Sequence, residues 1–210
     1  GSLPLEYQVT CNCPSCGPVG SSVTFSACGK LPNDDLEQFD VKWASRTYDN
    51  STSSMAAEGC AVSALATLNN FYRSTISTPI PQFDPWTLNV ALRNLGNKGY
   101  LKGGGVYWSG VNNLSNNNIK FVRLTNVDDR NSLQDVSTAA DADLALGRPV
   151  IVRVRRRKDD GTFGPHYVLA VGRCRGEYII ADPGSGTRTR FDPNDVNFQL
   201  TGIRRYRPGP

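Results

Sequence analysis

Histidine is almost missing from this chain: one residue in 210, at position 166. There is no run of about eighteen apolar residues, the length a membrane-spanning helix needs, so no segment reads as a span. No signal peptide is visible at the N-terminus. The opening Gly1-Ser2 reads as a cloning remnant, so a natural targeting segment is expected to have been trimmed and the chain to be one piece of a longer protein. The Gly103-Gly104-Gly105 run has neither the lysine with serine or threonine nor the strand-to-helix setting of a phosphate-binding loop, and reads as a flexible turn. No internal repeat is present. The arginine clusters lack the aromatic interleaving of single-strand nucleic-acid binders.

What is present fits an ordinary globular domain. Apolar residues make up 39% and charged residues 20% of the chain, and 210 residues are enough to bury a core without staples. Net charge is +4. The surplus lies late, at Arg153, Arg155, Arg156, Arg157 and Lys158, then Arg173 and Arg175, then Arg204, Arg205 and Arg207. Such clusters can meet anionic polymers or lipid surfaces. The alternation of Val150, Val152 and Val154 with Ile151, Arg153 and Arg155 favours a strand that points arginines at solvent. Nucleic acid is not an expected partner.

Residues 1–37 differ from the rest. Four of the six cysteines fall there, at Cys11, Cys13, Cys16 and Cys28, among dense glycine, proline and serine. This reads as an N-terminal extension too short for its own core, with the domain proper at residues 38–210. Disulfides, a zinc site and free thiols are the readings, in that order. Cys13 and Cys16 have knuckle spacing but no second close pair completes a tetrathiolate site. Disulfides would imply a secreted or cell-surface protein. Cys174 is a spare thiol or a partner for one of these cysteines.

The remaining chain divides into helices followed by strands, an α+β pattern. A helix is expected over residues 60–72, with an apolar stripe at Ala61, Ala64, Leu65, Leu68 and Phe71 or Tyr72. Asp84 caps a second helix, with Pro85 at its first position and Gly96 near its end. A short strand covers 119–124, and a short helix covers 137–146 and ends at Gly147. Strands are expected at 149–154, 166–172, 177–182 and 202–206, joined as an antiparallel meander.

Cys60 opens the first helix directly after Gly59. A helix N-terminus offers unpaired N–H groups and partial positive charge, which favour a thiolate over a thiol. A thiol nucleophile also needs a base that titrates near neutral pH, and His166, at the start of an apolar strand, is the one imidazole available. A third group must orient the ring. Asp182 ends the next strand, and a hairpin through residues 172–176 would bring it to the same open end as His166.

Gly59-Cys60 at a helix start, His166-Tyr167 opening a strand and Asp182-Pro183-Gly184-Ser185-Gly186 closing the next resemble the papain-fold cysteine peptidases of the bacteriocin-leader-processing type. The nearer likeness is to their stand-alone peptidase C39-like branch. Gln38-Phe39-Asp40, Trp43 and Tyr48 add to it, and the resemblance covers roughly residues 36–190. It implies a papain-like fold with a helical half carrying the catalytic-cysteine helix and a C-terminal antiparallel sheet. It also implies Cys60 as nucleophile, His166 as base and then acid, Asp182 as orienter, no cofactor, and a peptide or protein substrate, including a bacterial cell-wall peptide. Gln38 is the implied oxyanion donor beside the Cys60 N–H, with Tyr48, Asp49 or Asn50 as substitutes. The chain departs from the family in having Ala61-Val62 where Gly-Pro is usual. Acyl transfer from the same thioester and a catalytically silent binding module are the alternatives.

Overall fold

A computed structural model describes residues 36–49 and 51–210. The cysteines at 11, 13, 16 and 28, Asn50 and the expected extension over 1–37, save its last two residues, lie outside that range. Among the described residues five α-helices and six strands follow in the order α1 (Met55–Glu58), α2 (Cys60–Thr75), α3 (Pro85–Asn94), α4 (Gly110–Leu114), β1 (Ile119–Asn126), α5 (Leu133–Ala145), β2 (Val150–Arg157), β3 (Phe163–Cys174), β4 (Glu177–Ala181), β5 (Arg190–Phe191) and β6 (Phe198–Pro208). The strands form one sheet in the order β1-β6-β2-β3-β4-β5, and every neighbouring pair is antiparallel. No helix among the described residues is long and apolar enough to cross a membrane.

The sheet is covered on both faces. Ile151, Leu169, Val171 and Tyr206 pack with α2 in one core cluster. Val150, Val152, Val154, Val168, Ala170 and Ile203 pack with Val136, Ala140 and Leu144 of α5 in the other. This corrects the simple alternation expected for β2. Ile151 is fully buried and Arg153 half-buried, because a central strand between two layers has no solvent face until it outruns them. The meander is also incomplete. β2, β3 and β4 are consecutive, but β6 returns to lie between β1 and β2, where it pairs with both.

α2 is buried all round rather than along one stripe. Every residue from Ala61 to Tyr72 is buried, including Ser63, Thr67, Asn69 and Asn70. Buried polar groups need partners: Thr67 Oγ1 donates back to Ser63 O within the helix, while Asn69 and Asn70 tie down the proline-rich segment that follows. Asn69 Nδ2 donates to Pro81 O at 2.8 Å. Asn70 Nδ2 donates to Phe83 O at 2.8 Å, and its Oδ1 accepts from Phe83 N at 3.1 Å. That segment delivers Asp84 to its capping box with Thr87, with Pro85 in the first turn of α3. α5 begins four residues earlier than expected, where Ser132 and Asp135 form a second capping box.

Asn70→Ala is predicted to lower stability by about 2 kcal/mol, since it removes two hydrogen bonds and orphans both backbone groups of Phe83. Urea denaturation measures it. A loss below about 0.5 kcal/mol would show that water replaces the amide.

Candidate active site

Cys60 is the first residue of α2, and its position follows from Gly59, which ends α1 and caps α2 at once. The Gly59 N–H donates to Met55 O at 2.8 Å, while its carbonyl accepts from Ser63 N at 2.9 Å. A Cβ on Gly59 would lie 2.4 Å from Met55 O. Glycine is needed here for that close approach, since its φ of −73° is open to any residue. The thiol is free and half-buried. Cys174, at the far end of β3, is disulfide-bonded.

His166 lies where β3 outruns β4. Residues 163–168 pair with β2 alone, and β4 joins only from Leu169, opposite Ala181. Pro165 is tolerated there because that stretch of strand has a partner on one side only. Arg175 and Gly176, with φ of 51° and 88°, make the two-residue β3–β4 turn between paired Cys174 and Glu177. A bulge between Ala170 and Gly172 then moves the register by one residue. The chain leaving β4 therefore runs Asp182-Pro183-Gly184 along the vacant side of His166. Gly184 must remain bare, because a Cβ would stand 2.8 Å from both His166 Cε1 and Arg156 Nη1.

The result is a buried pair. His166 Nε2 is 2.6 Å from Asp182 Oδ1, and the two residues are 3% and 7% exposed. Gly184 N also donates to Oδ1, at 2.8 Å. Oδ2 accepts no hydrogen bond, and Arg188 Nε approaches it only to 3.9 Å. The Cys60 side chain is near enough to the same imidazole to favour its charged form. With Nε2 held by Asp182, Nδ1 is the nitrogen left for the sulfur. Burial works against a charged ring, but the Asp182 hydrogen bond and then the Cys60 contact overcome it, pushing the His166 pKa from 6.5 up to about 8. Because the folded value lies above the unfolded one, this contribution to stability is complete below about pH 6.5 and is lost as pH rises through about 8.

Cys60 opens onto a cleft of about 560 Å³, lined among others by Tyr48, Glu58, Gly104, Trp108, Tyr167 and Arg204. The Gly103–Gly105 turn is part of its wall, and Tyr48 OH donates to Gly104 O at 2.8 Å. Burial pushes the Tyr48 phenol well above its usual range, keeping it neutral. Gln38 is buried between the loop after Asp182 and α1. Its N–H donates to Pro183 O at 2.8 Å and its Nε2 to Ala56 O at 2.6 Å, strapping the loop after Asp182 to the turn before Cys60. One amide hydrogen is thus committed to Ala56. Asp49 N donates to Asn89 Oδ1 at 3.0 Å, and Asp49 Oδ1 accepts from Ser51 N at 2.5 Å. The sequence assigns no site role to Trp108, Tyr167 or Arg204, although Tyr167 stands in the His166-Tyr167 motif and Arg204 in the basic cluster at 204–207. Among the described residues no group of three or more histidine, cysteine or acidic side chains is placed to hold a metal.

No family model matches the chain, and no curated protein matches it in sequence. Among solved structures it is similar to a crystal structure described as a candidate C39-like peptidase from Bacillus anthracis. Identity is 13% and the TM-score 0.43, over 73% of this chain and 90% of that one. At that distance the likeness says nothing about chemistry, which rests on the site itself.

With one histidine in the chain, an NMR titration of its ring protons has a single unambiguous signal. The midpoint is predicted at about 8 and to fall in Asp182→Asn, where only the Cys60 contact still offsets burial. A midpoint unmoved by that substitution would mean Asp182 does not govern the ring.

Proposed function

We propose that this protein is a papain-like thiol hydrolase of C39-like type that cleaves an amide bond in a peptide or protein. The observation that carries the reading is the buried His166–Asp182 pair set against a free, half-exposed cysteine at a helix N-terminus, with a cleft in front of the sulfur.

Each residue then has a chemical task. Asp182 fixes the ring with Nε2 inward and supports its positive charge. The imidazolium presents Nδ1 to Cys60, the partner a sulfur nucleophile needs. The sulfur adds to the scissile carbonyl carbon. The oxyanion formed is met by the Cys60 N–H at the start of α2, where the helix dipole favours negative charge. The second N–H of Gln38 is the other candidate donor, while its first holds Ala56. Collapse of the intermediate expels the amine, which takes the Nδ1 proton, and leaves a thioester. Water then attacks, giving its proton to the now neutral His166, and the acid product leaves with the thiolate restored. The disulfide-bonded Cys174 supports a setting outside the cytoplasm.

Cys60→Ala is predicted to abolish cleavage of a mixed peptide library read by mass spectrometry, with the fold retained. Asp182→Asn is predicted to reduce turnover by about 100- to 10,000-fold. Cleavage that survives Cys60→Ala would overturn the assignment. Turnover unaffected by Asp182→Asn would remove Asp182 from the machinery.

A further inference from the structure

Arg204 is 4% exposed and stands on β6, in the same cleft as Cys60. Its Nη1 donates to Asn126 Oδ1 at 3.0 Å and more weakly to the Ile203 carbonyl at 3.5 Å. The guanidinium carbon lies 5.2 Å from the ring centroids of both Trp108 and Tyr167. These aromatic faces hold the plane but do not neutralise it. Nε is buried and meets no acceptor. Asn126, the Ile203 carbonyl and the Tyr167 side chain are its polar contacts, and none is a carboxylate. Burial lowers its pKa, and the nearby Arg153 adds to that effect.

The next residue shows how this fold settles an arginine structurally. Arg205 is bound by Asp143 through two hydrogen bonds, Nε to Oδ2 at 2.5 Å and Nη2 to Oδ1 at 3.1 Å. Arg204 is the more buried of the two and lacks that counter-charge. A buried guanidinium without an anion is costly to keep. Its Nε, left without an acceptor, is a donor of the kind that joins a two-point fork to a carboxylate.

We infer that Arg204 is a specificity residue that binds a carboxylate on the substrate, so that the cleft prefers peptides with an anionic group close to the scissile carbonyl. This rests on the thiol-hydrolase reading for what it selects. The carboxylate could belong to an acidic side chain or to a chain end.

Three alkylating probes separate these cases: N-bromoacetyl-glutamate α-amide, N-bromoacetyl-glutamine free acid, and neutral N-bromoacetyl-glutamine amide. Labelling of Cys60 is followed by intact mass and peptide mapping on the full chain. At least one anionic probe is expected to label Cys60 about 10- to 100-fold faster than the neutral one, as charge-assisted hydrogen bonds allow. The faster of the two identifies the side chain or the chain end as the source. Arg204→Met is expected to bring the ratio close to one. Arg204→Lys, which keeps the charge but loses the planar fork, is expected to retain only a small part of it. A wild-type ratio at or below one overturns the proposal without any variant. So does a preference that survives in a folded Arg204→Met protein, since His166 would then be its source. If all probes label Cys60 no faster than in urea-unfolded chain, the hydrolase reading fails, while the ratio among probes still decides the carboxylate preference.

Discussion

A histidine buried to 3% exposure keeps a proton near neutral pH only if something beside it offsets the lost hydration, and here that is first the 2.6 Å contact with Asp182 and then Cys60. Much of the local architecture serves this contact. β3 extends past β4 so that one side of His166 is vacant, and a bulge sets the register so that Asp182 arrives there. Gly184 has no side chain to crowd the ring. Gln38 laces the loop to the segment that precedes Cys60. Moving any of these shifts a charge whose stabilisation depends steeply on distance in a dry environment.

The second constraint is rigidity at the sulfur. α2 lies in the core, buried from Ala61 to Tyr72 against one face of the sheet. Its N-terminus therefore cannot drift relative to β3, the strand that carries the imidazole. The amides of Asn69 and Asn70 on this helix bond to the segment after it, which fixes α3 in turn. Cys60 is thus presented from one layer and His166 from the other, with the cleft at their junction.

Much of this was legible in the chain because it depends on neighbours in sequence. Asp84-Pro85 announces a helix start, and Gly59-Cys60 announces a tight junction before one. The Arg175-Gly176 turn lies between two apolar runs, so the partnership of His166 with Asp182 could be anticipated from local hairpin logic. What was not legible is long-range. The insertion of β6 between β1 and β2 depends on pairings across dozens of residues, and it is what carries Arg204 into the cleft. The all-round burial of α2 is hidden by Ser63, Thr67, Asn69 and Asn70, because polar side chains between apolar ones suggest a single buried stripe. Ile151 was read as the start of a solvent-facing row because nothing in its own strand reports the helix above it. The early start of α5 was readable in Ser132 and Asp135 but masked by the polar residues around them.

The central claim is that His166 activates Cys60. Brief iodoacetamide treatment at pH 6, followed by intact mass spectrometry and peptide mapping, tests it most directly. The account predicts rapid, selective labelling of Cys60 in the wild-type protein and a rate lower by at least tenfold, on the order of the lost general-base contribution, in a folded His166→Ala variant. Equal and slow labelling of the two proteins would show that the cysteine and the histidine, though adjacent, do not act together.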